Sequence, residues 1–200
     1  MAIPGTAPTE YKVIIIGDAY VGKTSILNRY CNQTFNENEE STIAASFLQA
    51  CEVVNGVDIR MNLWDTAGHE KFHCVVPLYA RTADAMIIVF DLKRPQSFEG
   101  AKKWYFELTE EVGQISVVIL CGNKLDLDPN IDTSVYERWA QDNKIMYINV
   151  SALDGSNIHK LFFMIAEHIY RDIFLPDEEP EVTSNDNSLN KAQNSSGSCC

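Results

Sequence analysis

The sequence lacks long apolar runs, an excess of basic residues and cysteines at paired spacing. No apolar run is long enough to cross a bilayer, and the first residues lack the basic and then apolar pattern of a signal peptide. Acidic residues outnumber basic residues by 28 to 16, so the formal net charge is −12. That charge argues against nucleic-acid binding, which depends on Lys and Arg at the phosphates. It does not exclude a single nucleotide, whose phosphates can be held by a local loop and a metal ion.

Six cysteines are present, and the first four are scattered without the spacing of a metal site. We expect these four to be reduced, small apolar residues in a reducing compartment. Cys199 and Cys200 close a stretch from residue 175 that is acidic and then rich in Ser and Asn. This stretch has no core-forming pattern, which is typical of a flexible tail. Residues 1–9 are predicted to be a short disordered lead, which leaves 10–174 as one folded domain.

Apolar strand-like runs alternate with amphipathic helix-like runs along residues 10–174. This alternation predicts an α/β fold with a mostly parallel, six-stranded sheet and helices on both faces. The pair Asn55-Gly56 predicts a tight hairpin, which supplies one antiparallel edge. The predicted strands are 11–16, 47–54, 57–64, 85–91, 116–121 and 145–150. The predicted helices are 25–30, 97–112 with Phe98, Ala101, Tyr105 and Leu108 on its apolar face, 133–144 with a possible Thr cap, and 157–173.

The stretch 17–24, GDAYVGKT, fits the phosphate-binding pattern G-x-x-x-x-G-K-[ST] between a predicted strand and a predicted helix. Glycines let several backbone N–H groups point at one phosphate chain, and the helix N-terminus adds partial positive charge. Lys23 would reach the β and γ phosphates, and the Thr24 hydroxyl would bind Mg²⁺, which prefers oxygen ligands. The alternative is a chance Gly-Lys-Thr turn. The predicted phosphate-binding residues of this stretch are Gly17, Asp18, Ala19, Tyr20, Val21, Gly22, Lys23, Thr24 and Ser25.

Two further motifs follow predicted strands, where ligands sit in sheets of this kind. In the stretch 65–68, DTAG, Asp65 would contact Mg²⁺ directly or through water, and Gly68 would offer its N–H to a γ-phosphate. Taken alone, this stretch could also be a capped turn.

The stretch 123–126, NKLD, carries base specificity. The carboxylate of Asp126 can accept two hydrogen bonds from guanine, and adenine lacks that pair of donors. The stem of Lys124 would cover the base, and Ser151-Ala152 would offer a backbone N–H to the guanine carbonyl. The predicted guanine-binding residues of these two stretches are Asn123, Lys124, Asp126, Ser151 and Ala152.

With these three motifs the chain resembles the small GTPases of the Ras superfamily over residues 10–173, and within them the Rab branch. The stretch 63–68, LWDTAG, and the double cysteine at the end carry the Rab resemblance, and 41–47, STIAASF, is most similar to the endosomal Rabs. The resemblance implies a P-loop NTPase fold and a GTP/GDP switch in vesicle trafficking. It implies a location on the cytoplasmic face of endosomal membranes, with a cytosolic pool. It also implies effectors, an exchange factor, a GTPase-activating protein, a GDP-dissociation inhibitor and an escort protein as partners, and no nucleic acid.

The resemblance also assigns roles to single residues. Thr42 would close on Mg²⁺ and the γ-phosphate, and Phe35 and Leu153 would pack at the guanine. Cys199 and Cys200 would both carry geranylgeranyl chains, and two chains give a stable membrane anchor; the alternative is two free thiols. The predicted effector interface is Ile43, Phe47, Trp64 and Tyr79, of which the aromatic members could instead be ordinary core.

Several residues depart from the family pattern. His69 stands where the family has the Gln that orients the attacking water, and we list it with Lys23 and Gly68 as candidate catalytic residues. The hypothesis is slow hydrolysis, unless His69 or a partner supplies the missing group. Tyr20 replaces a small residue and would shield the phosphates or crowd an activator. The rivals are a nucleotide-loaded adaptor that scarcely hydrolyses GTP and an ATP-using kinase, which Asp126 argues against. The other histidines, His73, His159 and His168, have no ligand spacing.

Overall fold

The computed structural model describes residues 10–39, 42, 46–66, 76–113 and 115–175. Six strands form one sheet in the order β2-β3-β1-β4-β5-β6. The strands are β1 (Glu10–Ile16), β2 (Ser46–Val54), β3 (Val57–Asp65), β4 (Ala85–Asp91), β5 (Val117–Asn123) and β6 (Met146–Asn149). The β2–β3 pair is antiparallel and every other pair is parallel. The predicted α/β fold with six strands is therefore confirmed.

The hairpin between β2 and β3 turns at the predicted pair. Asn55 has φ 49° and Gly56 has φ 81°, so both residues adopt the left-handed conformation that a two-residue turn of this kind needs. The hairpin pairs Phe47 with Trp64 across the two strands.

Among the described residues, five α-helices cover the two faces of the sheet, which confirms the predicted placement of helices on both faces. Because side chains of a strand alternate between faces, Val13 and Ile15 of β1 face one core, and Ile14 and Ile16 face the other. α1 and α5 cover the first core, and α2, α3 and α4 cover the second. The helices are α1 (Lys23–Asn32), α2 (Val76–Ala80), α3 (Pro95–Val112), α4 (Ser134–Asp142) and α5 (Ile158–Phe174), with a short 3₁₀ turn at Leu125–Leu127.

Three details of the helices differ from the prediction. The apolar face of α3 buries Trp104, which is 2% exposed, whereas Tyr105 is half-buried. Residue 104 lies three residues after Ala101 and four before Leu108, so it faces the same side of the helix. Thr133 is the N-cap residue of α4, as predicted, but its side chain makes no capping hydrogen bond and its hydroxyl donates instead to the Glu137 carboxylate at 2.7 Å.

The third difference is α2, which the sequence did not predict, since five residues are too few to show a helical period. None of the described helices has both the length and the apolar character that a membrane crossing requires. Within the described part of the chain, no group of three His, Cys, Asp or Glu side chains is placed to hold a metal.

Candidate functional site

A pocket of about 450 Å³ opens beside the carboxyl ends of β1 and β5. It brings together residues from the phosphate loop, the NKLD stretch and the Ser-Ala stretch, together with Phe35 and Thr42. Residues 36, 37, 39 and 127, which were not predicted as site residues, complete the lining. The predicted site residues that line the pocket are Ala19, Tyr20, Gly22, Lys23, Thr24, Ser25, Phe35, Thr42, Asn123, Lys124, Asp126, Ala152 and Leu153.

The phosphate loop requires glycine at two positions. Gly17 has φ 139° and Gly22 has φ 94°, a region that residues with a Cβ rarely adopt. A Cβ on Gly17 would lie 2.2 Å from the carbonyl oxygen of Val89, and one on Gly22 would lie 2.4 Å from Nδ2 of Asn123. The loop therefore packs its backbone directly against β4 and the end of β5.

Asn123 joins the loop to the opposite wall of the pocket. Its Nδ2 donates to the carbonyl oxygen of Val21 at 2.8 Å, and its Oδ1 accepts from the backbone N–H of Ala152 at 3.2 Å. Because Asn123 is buried at 1% exposure, both bonds are shielded from water. Asn123 fixes the distance between the phosphate end and the base end of the pocket.

Lys23 is buried in the floor of the phosphate loop. Its Nζ donates to the carbonyl oxygens of Gly17 at 2.9 Å and Asp18 at 2.8 Å. Burial lowers the pKa of Lys23 to about 8, although the negative charges of Asp65 and Asp18 oppose that shift. The ammonium group is thus held beside the backbone N–H groups at the start of α1, where a phosphate would sit.

Three oxygen-bearing side chains meet next to Lys23. The hydroxyl of Thr24 donates to Oδ2 of Asp65 at 2.7 Å and lies 2.9 Å from the hydroxyl of Thr42. Thr42 also contacts Oδ2 of Asp65 at 3.3 Å. Burial raises the pKa of Asp65, although the hydrogen bond from Thr24 and the positive charge of Lys23 act to lower it.

The other oxygen of Asp65, Oδ1, is buried and has no hydrogen-bond partner among the described residues. A buried carboxylate oxygen without a partner is costly, and a cation at this place would satisfy it. Two hydroxyls and a carboxylate are hard oxygen donors of the kind that Mg²⁺ prefers. The residues present therefore fit a magnesium ion.

The base end of the pocket is held by short side-chain contacts. Oδ1 of Asp126 accepts from the hydroxyl of the buried Ser151 at 2.5 Å. Lys124, with φ 68°, pairs its Nζ with Oδ2 of Asp91 at 2.8 Å. Asp126 is therefore oriented by one of its oxygens and keeps the other for a ligand, with the stem of Lys124 at its side.

Arg29 of α1 is a site residue that sequence reasoning missed. Its Nε donates to the carbonyl oxygen of Ala152 at 2.9 Å, its Nη2 to that of Leu153 at 2.5 Å, and its Nη1 to that of Gln33 at 3.2 Å. The guanidinium also lies 6.0 Å from the ring centre of Phe35. Arg29 thus holds both walls of the base end, and no motif in the sequence signals it.

Arg94, just before α3, is a second missed residue. Its Nη2 donates to the carbonyl oxygen of Ala19 in the phosphate loop at 2.9 Å. The neighbouring Tyr20 is 71% exposed and has φ 65°. One outer corner of the phosphate loop is therefore tied to α3, and Tyr20 projects from it into solvent.

The structure also brings the three predicted aromatic side chains of the effector interface together. The ring centres of Phe47 and Trp64 are 5.8 Å apart, and those of Trp64 and Tyr79 are 5.4 Å apart. Phe47 is 48% exposed, whereas Trp64 and Tyr79 are half-buried and pack against the α3 side of the core. Lys12 Nζ lies 4.8 Å from the Trp64 ring centre. Trp64 and Tyr79 thus pack against the core, and Phe47 at the other end of the aromatic cluster is accessible to a partner.

Five predicted site residues lie outside the described part of the chain: Ile43, Gly68, His69, Cys199 and Cys200. His73 lies outside it as well, while His159 and His168 are on α5.

Comparison with known proteins gives one family and several close relatives. The family model described as "Ras family" matches residues 12–171. Ras-related protein Rab-5A of Dictyostelium discoideum is 36% identical over 162 residues, which cover 80% of this chain and 81% of that protein. Ras-related protein RABF2b of Arabidopsis thaliana is 36% identical over 203 residues, covering 100% of both chains. RABF2a of the same plant is 37% identical over 173 residues, covering 86% of each.

Proposed function

The chain belongs to the Ras family of small GTPases, and we propose that it is a Rab-like switch that binds GTP or GDP with Mg²⁺ and recruits effectors to endosomal membranes when GTP is bound. The γ-phosphate would order the loops around Thr42 and Gly68, and hydrolysis would release them. The endosomal assignment is supported by the resemblance of residues 41–47 to that branch.

One observation carries the proposal: a carboxylate held by Ser151 and a lysine-bearing phosphate loop occupy opposite ends of one pocket. Asp126 accepts from Ser151 at 2.5 Å, and Lys23 lies buried at the other end. The free acceptor capacity of Asp126 matches the paired N–H donors of guanine. This supports selection of guanine over adenine, because adenine would leave the carboxylate without donors.

The proposed roles at the phosphate end are supported by the positions of Lys23, Thr24, Thr42 and Asp65, and for Gly68 by the sequence motif alone. Lys23 would bind the β and γ phosphates, and the backbone N–H of Gly68 would stabilise the charge that develops on the γ-phosphoryl group. Thr24, Thr42 and Asp65 would hold Mg²⁺, which when bound neutralises charge on the phosphate oxygens. The reaction is the attack of water on the γ-phosphoryl group.

We propose that this hydrolysis is slow in the protein alone. His69 replaces the Gln that orients the attacking water in the family, and an imidazole differs from an amide in reach and geometry. Tyr20, at 71% exposure on the phosphate loop, would crowd an incoming activating protein. The same two residues favour a second candidate function, a nucleotide-loaded adaptor with negligible hydrolysis.

Single-turnover GTP hydrolysis, measured for the native protein, His69→Gln and Tyr20→Gly, tests this proposal. If Gln at position 69 speeds turnover by about tenfold or more (~1.4 kcal/mol of barrier), His69 slows the reaction. A native rate below detection over several days would favour the adaptor. A native rate that is ordinary for small GTPases and unaffected by His69→Gln would show that His69 is an adequate substitute, and the slow-hydrolysis and adaptor proposals would then be wrong.

The proposal also includes the attachment of the protein to a membrane and its protein partners. Geranylgeranyl chains on Cys199 and Cys200 would anchor the protein, and an escort protein and a GDP-dissociation inhibitor would handle the lipidated form. Effectors would bind at Phe47, Trp64, Tyr79 and Ile43, and an exchange factor and a GTPase-activating protein would switch the nucleotide state. Mass spectrometry of the protein from cells counts the attached lipids, and Cys199→Ser with Cys200→Ser should release it from membranes.

A further inference from the structure

A second cavity, of about 460 Å³, lies between α1, β2 and α5. It is as large as the nucleotide pocket, and the two share none of their lining residues. Its size falls within the range of about 300–1,000 Å³ that is typical of small-molecule sites. The proposed nucleotide cycle uses none of its polar groups except Arg29, so the cavity has no role in the function described so far.

A buried carboxylate lies at the wall of this cavity. Glu52 of β2 is 9% exposed. The hydroxyl of Tyr30 donates to its Oε1 at 2.6 Å, and Nε2 of His159 lies 3.3 Å from the same oxygen. Among the described residues, no donor lies within hydrogen-bond distance of Oε2 of Glu52. The contacts of Glu52 thus occupy one carboxylate oxygen and leave Oε2 to water or to a ligand in the cavity.

The contacts of Glu52 are a phenol and an imidazole at the mouth of the cavity, and neither is a Lys or Arg side chain. Burial, together with the hydrogen bond to Glu52, raises the pKa of Tyr30, so this phenol is a neutral donor at physiological pH. His159 sits at the mouth with its side chain 74% exposed and its ring stacked on Phe163. A buried carboxylate with a phenol and an exposed imidazole as its partners favours an additional cation.

The remaining walls leave room for that cation. Arg29 lines the cavity, but its guanidinium donates away from it, to the carbonyl oxygens of Ala152, Leu153 and Gln33. Burial raises the pKa of both lining thiols, Cys31 and Cys51, which are therefore neutral.

We propose that this cavity binds a small ligand with a positively charged nitrogen, a guanidinium or a primary ammonium, whose N–H groups donate to Oε2 of Glu52. A charged donor on a carboxylate makes a stronger hydrogen bond than a neutral one, so charge on the ligand decides its affinity. Gln33 and Gln49 also line the cavity, but their amide nitrogens already donate to the carbonyl oxygen of Tyr30 and to Oδ1 of Asn62. Glu52 is therefore the group that would bind the ligand.

The test uses two probes of the same shape that differ in charge, butylguanidine and butylurea. Each is titrated into full-length, GDP-bound protein at physiological salt, and binding is followed by amide chemical shifts in NMR. We expect butylguanidine to shift the amides around Glu52, His159 and Gln49, and butylurea to bind at least about tenfold more weakly. Binding of both probes with equal affinity, or of neither, would overturn the proposal.

Two variants distinguish binding of butylguanidine in this cavity from nonspecific attraction of a cation to an acidic protein. Glu52→Gln keeps an acceptor for Tyr30 but removes the charge, and we expect it to weaken butylguanidine at least about tenfold. Glu111→Gln removes a half-exposed carboxylate on α3 and should leave the affinity unchanged. Each variant is first checked for an unchanged thermal unfolding transition. If Glu52→Gln unfolds, the comparison of butylguanidine with butylurea on the native protein decides the test. Equal weakening in Glu111→Gln, or shifts spread over the acidic surface, would mean that the cavity is not the site.

Discussion

Arg29 and Ala152 are 123 residues apart in the chain and are joined by a hydrogen bond of 2.9 Å from the guanidinium Nε to the carbonyl oxygen. A second bond from the same guanidinium reaches the next carbonyl, that of Leu153, at 2.5 Å. Since Ala152 and Leu153 line the pocket, the position of α1 fixes the position of the wall that we propose contacts guanine, the guanine wall. Helix α1 also begins at the phosphate loop, so one helix contacts both ends of the nucleotide pocket.

We expect Arg29→Lys to speed GDP dissociation about tenfold, because a lysine ammonium cannot span three carbonyl oxygens as the planar guanidinium does. Losing one to two net hydrogen bonds is worth about 1–2 kcal/mol, and ~1.4 kcal/mol corresponds to the tenfold change. The measurement is release of a fluorescent GDP analogue into excess GDP with Mg²⁺ present. Arg138→Lys, on the exposed side of α4, is the matched control. Equal release rates in all three proteins would show that Arg29 does not support the guanine wall.

Asp126→Asn should exchange guanine selectivity for xanthine selectivity. The asparagine amide replaces one acceptor with a donor, which opposes the exocyclic amine of guanine but matches the carbonyl that xanthine carries at that position. We expect GDP affinity to fall by about 100-fold or more and xanthosine diphosphate to bind more tightly than GDP. Competition between the two nucleotides gives the answer, with Asp128→Asn, a half-exposed neighbour paired with Lys93, as control. If Asp126→Asn still prefers GDP, then Asp126 does not read the base.

The strands and the pocket-lining motifs could be predicted from the sequence because their signals are local. Six strand-like runs, four of them followed by a polar motif, predicted the order of the elements, and Asn55-Gly56 predicted the hairpin. A phosphate loop needs glycine where the backbone has a positive φ angle. Gly17 and Gly22 could therefore be assigned to the loop from their residue type. These features depend on neighbours in the chain, and the predicted strand ends lie within two residues of the observed ones, with both ends of 85–91 in agreement.

The interactions that hold the site together could not be predicted because they join distant segments through backbone carbonyls. Arg29 and Arg94 bond to the carbonyl oxygens of Ala152 and Ala19, and every residue type has such an oxygen. A similar limit applies to Trp104, whose burial depends on how α3 is rotated against the sheet. The pairing of Tyr30 with Glu52 likewise requires knowing that β2 lies under α1.

Tyr30→Phe should lower the free energy of unfolding by about 1–3 kcal/mol, because it leaves Glu52 buried without its 2.6 Å donor. The ring itself is stacked on Phe162 with 3.9 Å between centres, and phenylalanine keeps that contact. Urea unfolding of the GDP-bound protein at fixed GDP concentration measures the change. Tyr170→Phe, whose ring also stacks on α5, is the control and should be nearly neutral. A loss of the same size in the control would assign the effect to ring packing rather than to Glu52.

GDP binding should take up a proton at alkaline pH through Lys23. Burial lowers the pKa of this ammonium to about 8 from its ordinary value of 10.5, so above pH 8 most of the nucleotide-free protein carries it neutral. A phosphate beside Nζ favours the charged form and raises that pKa. Proton uptake on binding should therefore increase between pH 7 and pH 9, and calorimetric titrations in two buffers of different ionisation enthalpy measure it.

The lowered pKa of Lys23 also determines how the unfolding free energy of the nucleotide-free protein changes with pH. Because the pKa of Lys23 in the folded state lies below its unfolded value, the unfolded chain binds more protons between about pH 8 and pH 10.5. The contribution of Lys23 to the free energy of unfolding is thus unfavourable below pH 8 and improves as the pH rises through that window. Lys23→Met removes the titrating group. The unfolding free energy of this variant should therefore lack the rise due to Lys23, while the pH dependence due to other groups stays the same. Proton uptake that is equal at pH 7 and pH 9, together with parallel stability curves for the two proteins, would show that Lys23 stays charged throughout.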